Sequence, residues 1–149
     1  KAAKDAWLHS PAWQPLRHAM EDTFVLDDWF EIMVAQNIVM DGLLYPLIYE
    51  RFIPSLTAQG GGAFLMLTQF MNEWYEETVR WTNALIKVTA AESSANAALL
   101  TQWTSAWVQR LEQAVLPIAE LAFGDQAATQ VAEVKQELLT RLAKQGIKV

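Results

Sequence analysis

The chain has 149 residues, a formal net charge of −6, and a composition that is 52% hydrophobic and 19% charged, with seven Trp and no Cys. A domain of this size can bury a real core. An acidic balance without any basic stripe excludes a phosphate backbone as ligand, and the lack of thiols excludes disulfides, thiol catalysis and thiolate metal sites.

The small charged share leaves less water-facing surface than a monomer of this size needs, so some apolar surface is expected to meet a partner. The absence of Cys fits a reducing, cytoplasmic compartment. The opening residues KAAKDAWLHS are polar and helical in character and begin without Met. The chain is therefore expected to be cut from a longer polypeptide.

Lys1 to His9 reads as a short helix built on Ala2, Ala3, Ala6 and Leu8. Ser10 restarts the chain as an N-cap, with Pro11 in the first turn, where its missing amide costs nothing. This second helix is predicted to run to about Phe24, on a face of Trp13, Leu16, Met20 and Phe24. The stretch Asp27 to Ile53 is the centre of the chain. It is mostly apolar, yet Asp27, Asp28, Glu31, Gln36, Asn37, Asp41, Glu50 and Arg51 recur along it. That pattern excludes a membrane span and predicts a long helix buried on most of its circumference. Asp27 or Asp28 is expected to cap its start, Gly42 with Pro46 to bend or break it, and Pro54 to stop it.

Ser55 to Gly62 is expected to be a flexible turn. A second long helix is predicted from Ala63 to about Ala91, with Leu67, Phe70, Met71, Trp74, Val79, Trp81 and Leu85 as its apolar arc. Glu73, Glu76, Glu77 and Arg80 mark its polar side, and it should lie antiparallel to the first. After Glu92-Ser93-Ser94 a third long helix runs from about Ala95 to Phe123, carrying Leu99, Trp103, Trp107, Leu111 and Leu116 on one side and a kink at Pro117. Gly124 suits a left-handed cap, Asp125 can cap a last helix of roughly Gln126 to Lys144, and Gly146 closes it. No segment alternates with period two, so essentially no sheet is expected. Helices this long, joined by short turns, predict a single all-α domain over residues 1–149, a large helical bundle.

Such bundles can hold carboxylate-bridged metal pairs, through a lone Glu on each of two helices and a Glu-x-x-His on each of the other two. The chain has only two His. Three positions before His9 stands Ala6, and three before His18 stands Pro15. Counting three from Glu77 lands on Arg80, a permanent cation. A metal site wholly inside this chain is not expected. Glu31, Asp41 and Glu50 read as solvated or cap-side carboxylates, and His18 as a surface or interface residue. Gln36 with Asn37 could be a buried polar pair that fixes helix register, or could face water. Gly60-Gly61-Gly62 lacks the Lys and Ser/Thr of a phosphate loop and is a turn. Trp29, Trp74, Trp81, Trp103 and Trp107, at helical spacing, read most simply as core. Trp7, Trp13 and Phe30 lie near helix starts, where aromatics anchor a partner, and with Trp29 they form the expected interface set.

Ser10-Pro11-Ala12-Trp13-Gln14-Pro15-Leu16-Arg17, then Asp28-Trp29-Phe30-Glu31, Val34-Ala35-Gln36-Asn37 and above all Asp41-Gly42-Leu43-Leu44-Tyr45-Pro46-Leu47 follow one another in a characteristic order. In this the chain resembles the beta subunit of the hydroxylase component of bacterial multicomponent monooxygenases, most closely the phenol hydroxylase branch. The resemblance covers about the first ninety residues well. It implies a ferritin-like (ribonucleotide reductase-like) bundle that has lost its metal ligands, with no catalytic residue carried over. The implied role is a non-catalytic scaffold in NADH-dependent aromatic hydroxylation. Its implied partners are the alpha subunit, which holds the di-iron centre, the gamma subunit and a second beta subunit, served by a regulatory protein and a reductase. Family beta subunits are longer, so residues 1–149 would be a carboxyl-terminal part. Two alternatives stand beside this reading: a ferritin-like oxidase with carboxylate ligands such as Glu31, Asp41, Glu76 and Glu77, and a helical interaction module unrelated to oxygenases. Neither nucleic acid nor membrane is an expected partner.

Overall fold

The computed structural model describes residues 1–149 and consists of helices and turns. In chain order these are α1 (Ala2–His9), α2 (Gln14–Asp22), α3 (Trp29–Gln59), α4 (Gly62–Glu92), α5 (Ser94–Phe123) and α6 (Ala127–Ala143). The all-α expectation holds.

The second helix starts later than the Ser10-Pro11 signal predicts. Ser10 is extended, and the Trp13 amide donates to its carbonyl at 3.0 Å, closing a turn instead of a helix. The Gln14 side chain fixes that turn by donating to the carbonyls of Trp7 and Ser10. Pro15, not Pro11, then occupies the first helical turn. Phe24 falls outside the helix and is exposed.

Asp28 caps α3, its carboxylate accepting from the Phe30 amide at 2.8 Å. Of the bend or break expected at Gly42 and Pro46, the break does not occur, and Pro54 does not stop the helix: α3 runs through all three residues. It does so by changing its winding. Val34–Met40 and Pro46–Phe52 are π-helical, and the Asp41 and Ile53 amides reach carbonyls five residues back, at Gln36 and Ile48. Pro46 is the first residue of its π segment, and Pro54 lies in the first turn of the α segment that follows. A change of winding passes over one backbone hydrogen bond, which eases the placement of a residue that has no amide. A final 3-10 turn, Leu56–Gln59, shortens the expected loop to Gly60 and Gly61, with Gly60 at φ +90°.

Ser93 caps α5 by accepting from the Asn96 amide, and α5 continues as one helix through Pro117. Gly124 has a positive φ, but its ψ of −129° is not left-handed helical, and Asp125 makes no capping bond, because a 3-10 turn over Gly124–Gln126 intervenes before α6. Gly146 does close α6 in a Schellman arrangement. The Gly146 amide meets the Ala143 carbonyl, the Ile147 amide meets the Leu142 carbonyl, and the Ile147 side chain is buried.

The core is one cluster with α3 and α5 at its centre. Val34, Ala35, Ile38, Val39 and Leu43 of α3 meet Leu111 and Val115 of α5, Val131, Val134, Leu138 and Leu142 of α6, and Leu16 and Ala19 of α2. By length and apolar content α3 meets the requirement for a bilayer span, but 56% of its most apolar window is buried inside the fold.

Candidate functional site

The carboxylates weighed as metal ligands do not converge, and no three His, Asp or Glu side chains stand together as a metal site would require. Three of the four weighed, Glu31, Asp41 and Glu77, have other partners. Glu31 accepts a hydrogen bond from the indole Nε1 of Trp107 at 3.1 Å. Glu77 is ion-paired with Arg80, whose Nε donates to it at 3.0 Å, and Glu76 is exposed beside them. His9 pairs with Asp5 within α1, and His18 lines a shallow surface groove with Arg110. A carboxylate-bridged iron pair needs imidazoles on the long helices; α3, α4, α5 and α6 carry none. The residues present do not fit that group.

Where α3, α4 and α6 meet, a different polar set gathers. Asn37, Asp41, Tyr45 and Tyr49 follow one another along α3 every four residues. Tyr45 stacks on Tyr75 of α4 with ring centroids 5.2 Å apart, and packs against Tyr49 at 5.3 Å. These are all three tyrosines of the chain. Arg141 of α6 reaches in beside Gly42, where a Cβ would stand 3.3 Å from its Nη2 and 2.9 Å from Leu138 Cδ1. Both terminal nitrogens of Arg141 are buried without a partner within the chain, as is Asn72 Oδ1. Burial raises the Asp41 carboxyl above the ordinary carboxylate range, partly offset by a hydrogen bond with the Asn37 side chain. Burial also raises the Tyr75 phenol and lowers the Arg141 guanidinium, each moderated by the other's proximity. The cluster holds charge and donors inside the bundle but presents no activated nucleophile. Sequence reasoning missed Arg141, although a signal was there: it stands three residues after Leu138 and seven after Val134, on the apolar face of α6.

Gln36 and Asn37, left open by the sequence, are both half-buried. Gln36 Nε2 donates to the buried Thr23 hydroxyl at 2.8 Å, tying α3 to the end of α2. Across the other side, Arg51 of α3 binds Gln130, Glu133 and Glu137 of α6.

The aromatic residues divide differently from the sequence expectation. Trp107 is buried and Trp103 packs on the core. Trp29, Trp74 and Trp81, also expected in the core, are 66%, 64% and 42% exposed, because no element of the chain lies over them. Of the interface set, Trp7 and Trp13 contact each other with centroids 6.1 Å apart, and Trp13 also packs on the core. Trp29 lies against Phe30 at 5.0 Å, and the two line a groove with Thr89, Glu92 and Asn96. An extended exposed apolar face lies elsewhere, on the amino-terminal half of α4, where Phe64, Met66, Leu67, Phe70 and Trp74 are all exposed.

Known proteins resemble this chain in sequence and fold. The methane/phenol/alkene hydroxylase family profile matches residues 1–93. The oxygenase component DmpL of phenol 2-monooxygenase from Pseudomonas sp. strain CF600 is 47% identical over 98% of this chain and 43% of that protein. The component MhpL from Acinetobacter pittii strain PHEA-2 is 34% identical over 97% of this chain and 43% of that protein. A crystal structure of xenon-pressurised phenol hydroxylase from Pseudomonas sp. OX1 contains a chain that superimposes with a TM-score of 0.93 at 40% identity, covering 99% of this chain and 44% of that one. The chain thus spans less than half the length of these relatives.

Proposed function

The chain belongs to the methane/phenol/alkene hydroxylase family, and from that premise we propose that it is the non-catalytic, structural part of the oxygenase component of a phenol or related aromatic hydroxylase. It acts as the carboxyl-terminal part of a beta-type subunit in a cytoplasmic assembly of alpha, beta and gamma subunits. The di-iron centre that activates dioxygen belongs to the alpha subunit, and a reductase and a regulatory protein serve the complex. This chain braces the helices of its partners so that ligands held there keep their geometry, a preorganising effect transmitted through packing.

One observation carries the reading: α4 has 31 residues, of which only Thr82 and Ile86 are buried. A helix this long and this apolar in water is stable when another surface covers it. The exposed face of Phe64, Leu67, Phe70 and Trp74 is the surface that the assembled hydroxylase buries.

The test is expression of the chain with and without the other hydroxylase subunits. Alone, it is expected to retain no stoichiometric iron after dialysis and to oxidise no phenol. A Phe70→Asp/Trp74→Asp variant should keep its helical circular dichroism but lose co-purification with the other subunits. Stoichiometric iron on the isolated chain, or unimpaired co-purification of the variant, would overturn the proposal.

A further inference from the structure

Away from the α4 face, a concave groove opens between three elements. Leu44, Leu47, Ile48 and Phe52 of α3 form one wall, and Ile118, Ala119, Leu121, Ala122 and Phe123 at the carboxyl end of α5 form the other. Trp13, on the turn before α2, closes one end. All ten lining residues are apolar, and the space between them is about 320 Å³.

Three local features keep this space from closing. Ala119 and Ala122 stand three apart on α5, on one face of the helix, so the floor is made of methyl groups where larger side chains would fill it. Leu47, Ile48 and Phe52 project from the second π segment of α3, and wide turns of this kind recur at functional sites. Phe52 and Phe123 meet edge to face with centroids 6.0 Å apart, so the rings support each other and not the interior of the groove.

We propose that this groove is a binding site for an uncharged, single-ring hydrocarbon. The lining chemistry selects that class. An apolar cavity of about 150 Å³ lined by Leu, Ile and Phe stays dry and takes up benzene, and this groove has room for one substituted ring. Apart from the Trp13 indole N–H at one end, the side chains that line it carry no donor or acceptor, so a ligand hydroxyl placed between α3 and α5 would lose its bond to water without replacement. Phenols should therefore bind at least ten-fold more weakly than the corresponding hydrocarbons. The aromatic ends at Trp13 and Phe52/Phe123 favour a flat ring over an alkyl chain. The site rests on the geometry of α3 and α5 and does not depend on the structural role proposed above.

Crystals of the protein in its native assembly, whatever subunits that assembly holds, can be soaked with bromobenzene and, in parallel, with 4-bromophenol at the same concentration. The expected result is a bromine anomalous peak between Leu47 and Ala122 for bromobenzene, and little or none for 4-bromophenol. In solution, the fluorine resonance of fluorobenzene should broaden on adding the protein. An Ala122→Phe variant that melts at the wild-type temperature should weaken that effect at least ten-fold. An empty groove at saturating bromobenzene, a side chain from another subunit filling the space, or equal occupancy by 4-bromophenol would overturn the proposal.

Discussion

α4 and α5 are neighbours of nearly equal length, 31 and 30 residues, yet they meet water very differently. α5 buries eight residues, among them Leu100, Trp107, Val108, Leu111 and Val115, whereas α4 buries only Thr82 and Ile86. Both helices are rich in Leu and Trp, so composition does not separate them. The difference lies in how many elements surround each one. α5 touches α2, α3, α4 and α6, while the amino-terminal half of α4 has open space on its far side. Apolar content in a sequence states that a face must be covered, not that the same stretch of chain covers it.

The largest effect that can test this contrast comes from truncating the centre of α5. Leu111 is fully buried, and Leu111→Ala should cost about 3 kcal/mol in urea unfolding. A cost under about 1 kcal/mol would mean that α5 is not the packed helix described. Next comes Asp41, where α3 faces α4 and α6. Its carboxyl is raised in the folded state by burial, so folding favours the protonated form. The stability it contributes is complete below the unfolded aspartate value of about 3.9 and is lost as pH rises through the higher folded value. Asp41→Asn should therefore stabilise the chain at neutral pH, with the gain vanishing in acid, as read from melting curves across pH. A constant difference at every pH would contradict the burial argument.

Removing Arg51 should do less, at most about 1 kcal/mol and diminishing with salt, because its partners Glu133 and Glu137 are more than half exposed. Least of all is expected on the open face of α4. Leu67→Ser should change the stability of the isolated chain by under about 0.5 kcal/mol. A loss comparable to that of Leu111→Ala would erase the contrast between the two helices.

Much of this fold is legible in the residues themselves. The three-and-four spacing locates every long helix, Asp28 supplies the cap its position promises, and Gly146 ends α6 as a glycine in the left-handed region should. Pro46 and Pro54 mislead because the rule that proline ends a helix assumes uniform α winding. Each sits where the winding of α3 changes, and the helix continues past both. Trp74 and Trp81 mislead for another reason: helical spacing assigns them to one face but cannot name what lies against it. The partner of Glu31, the indole of Trp107, is 76 residues away in the chain and left no local trace. The same holds for the approach of Arg141 to Gly42.

The two widened turns of α3 also set how the chain tolerates change in length. A π turn holds one residue more than an α turn, so a deletion within Val34–Met40 can be taken up by tightening to α winding, whereas one within Asp41–Tyr45, where each residue turns its successor by about 100°, would swing Leu47 off the direction in which it now meets the core. A deletion beside Gly60 would shorten the α3–α4 tip, where Thr57 to Gly60 are exposed. Gene-length drift should thus leave its scars at the α3–α4 tip and in the π turns, and spare the α-wound stretch between them, where a lost codon is a rotation of half the core.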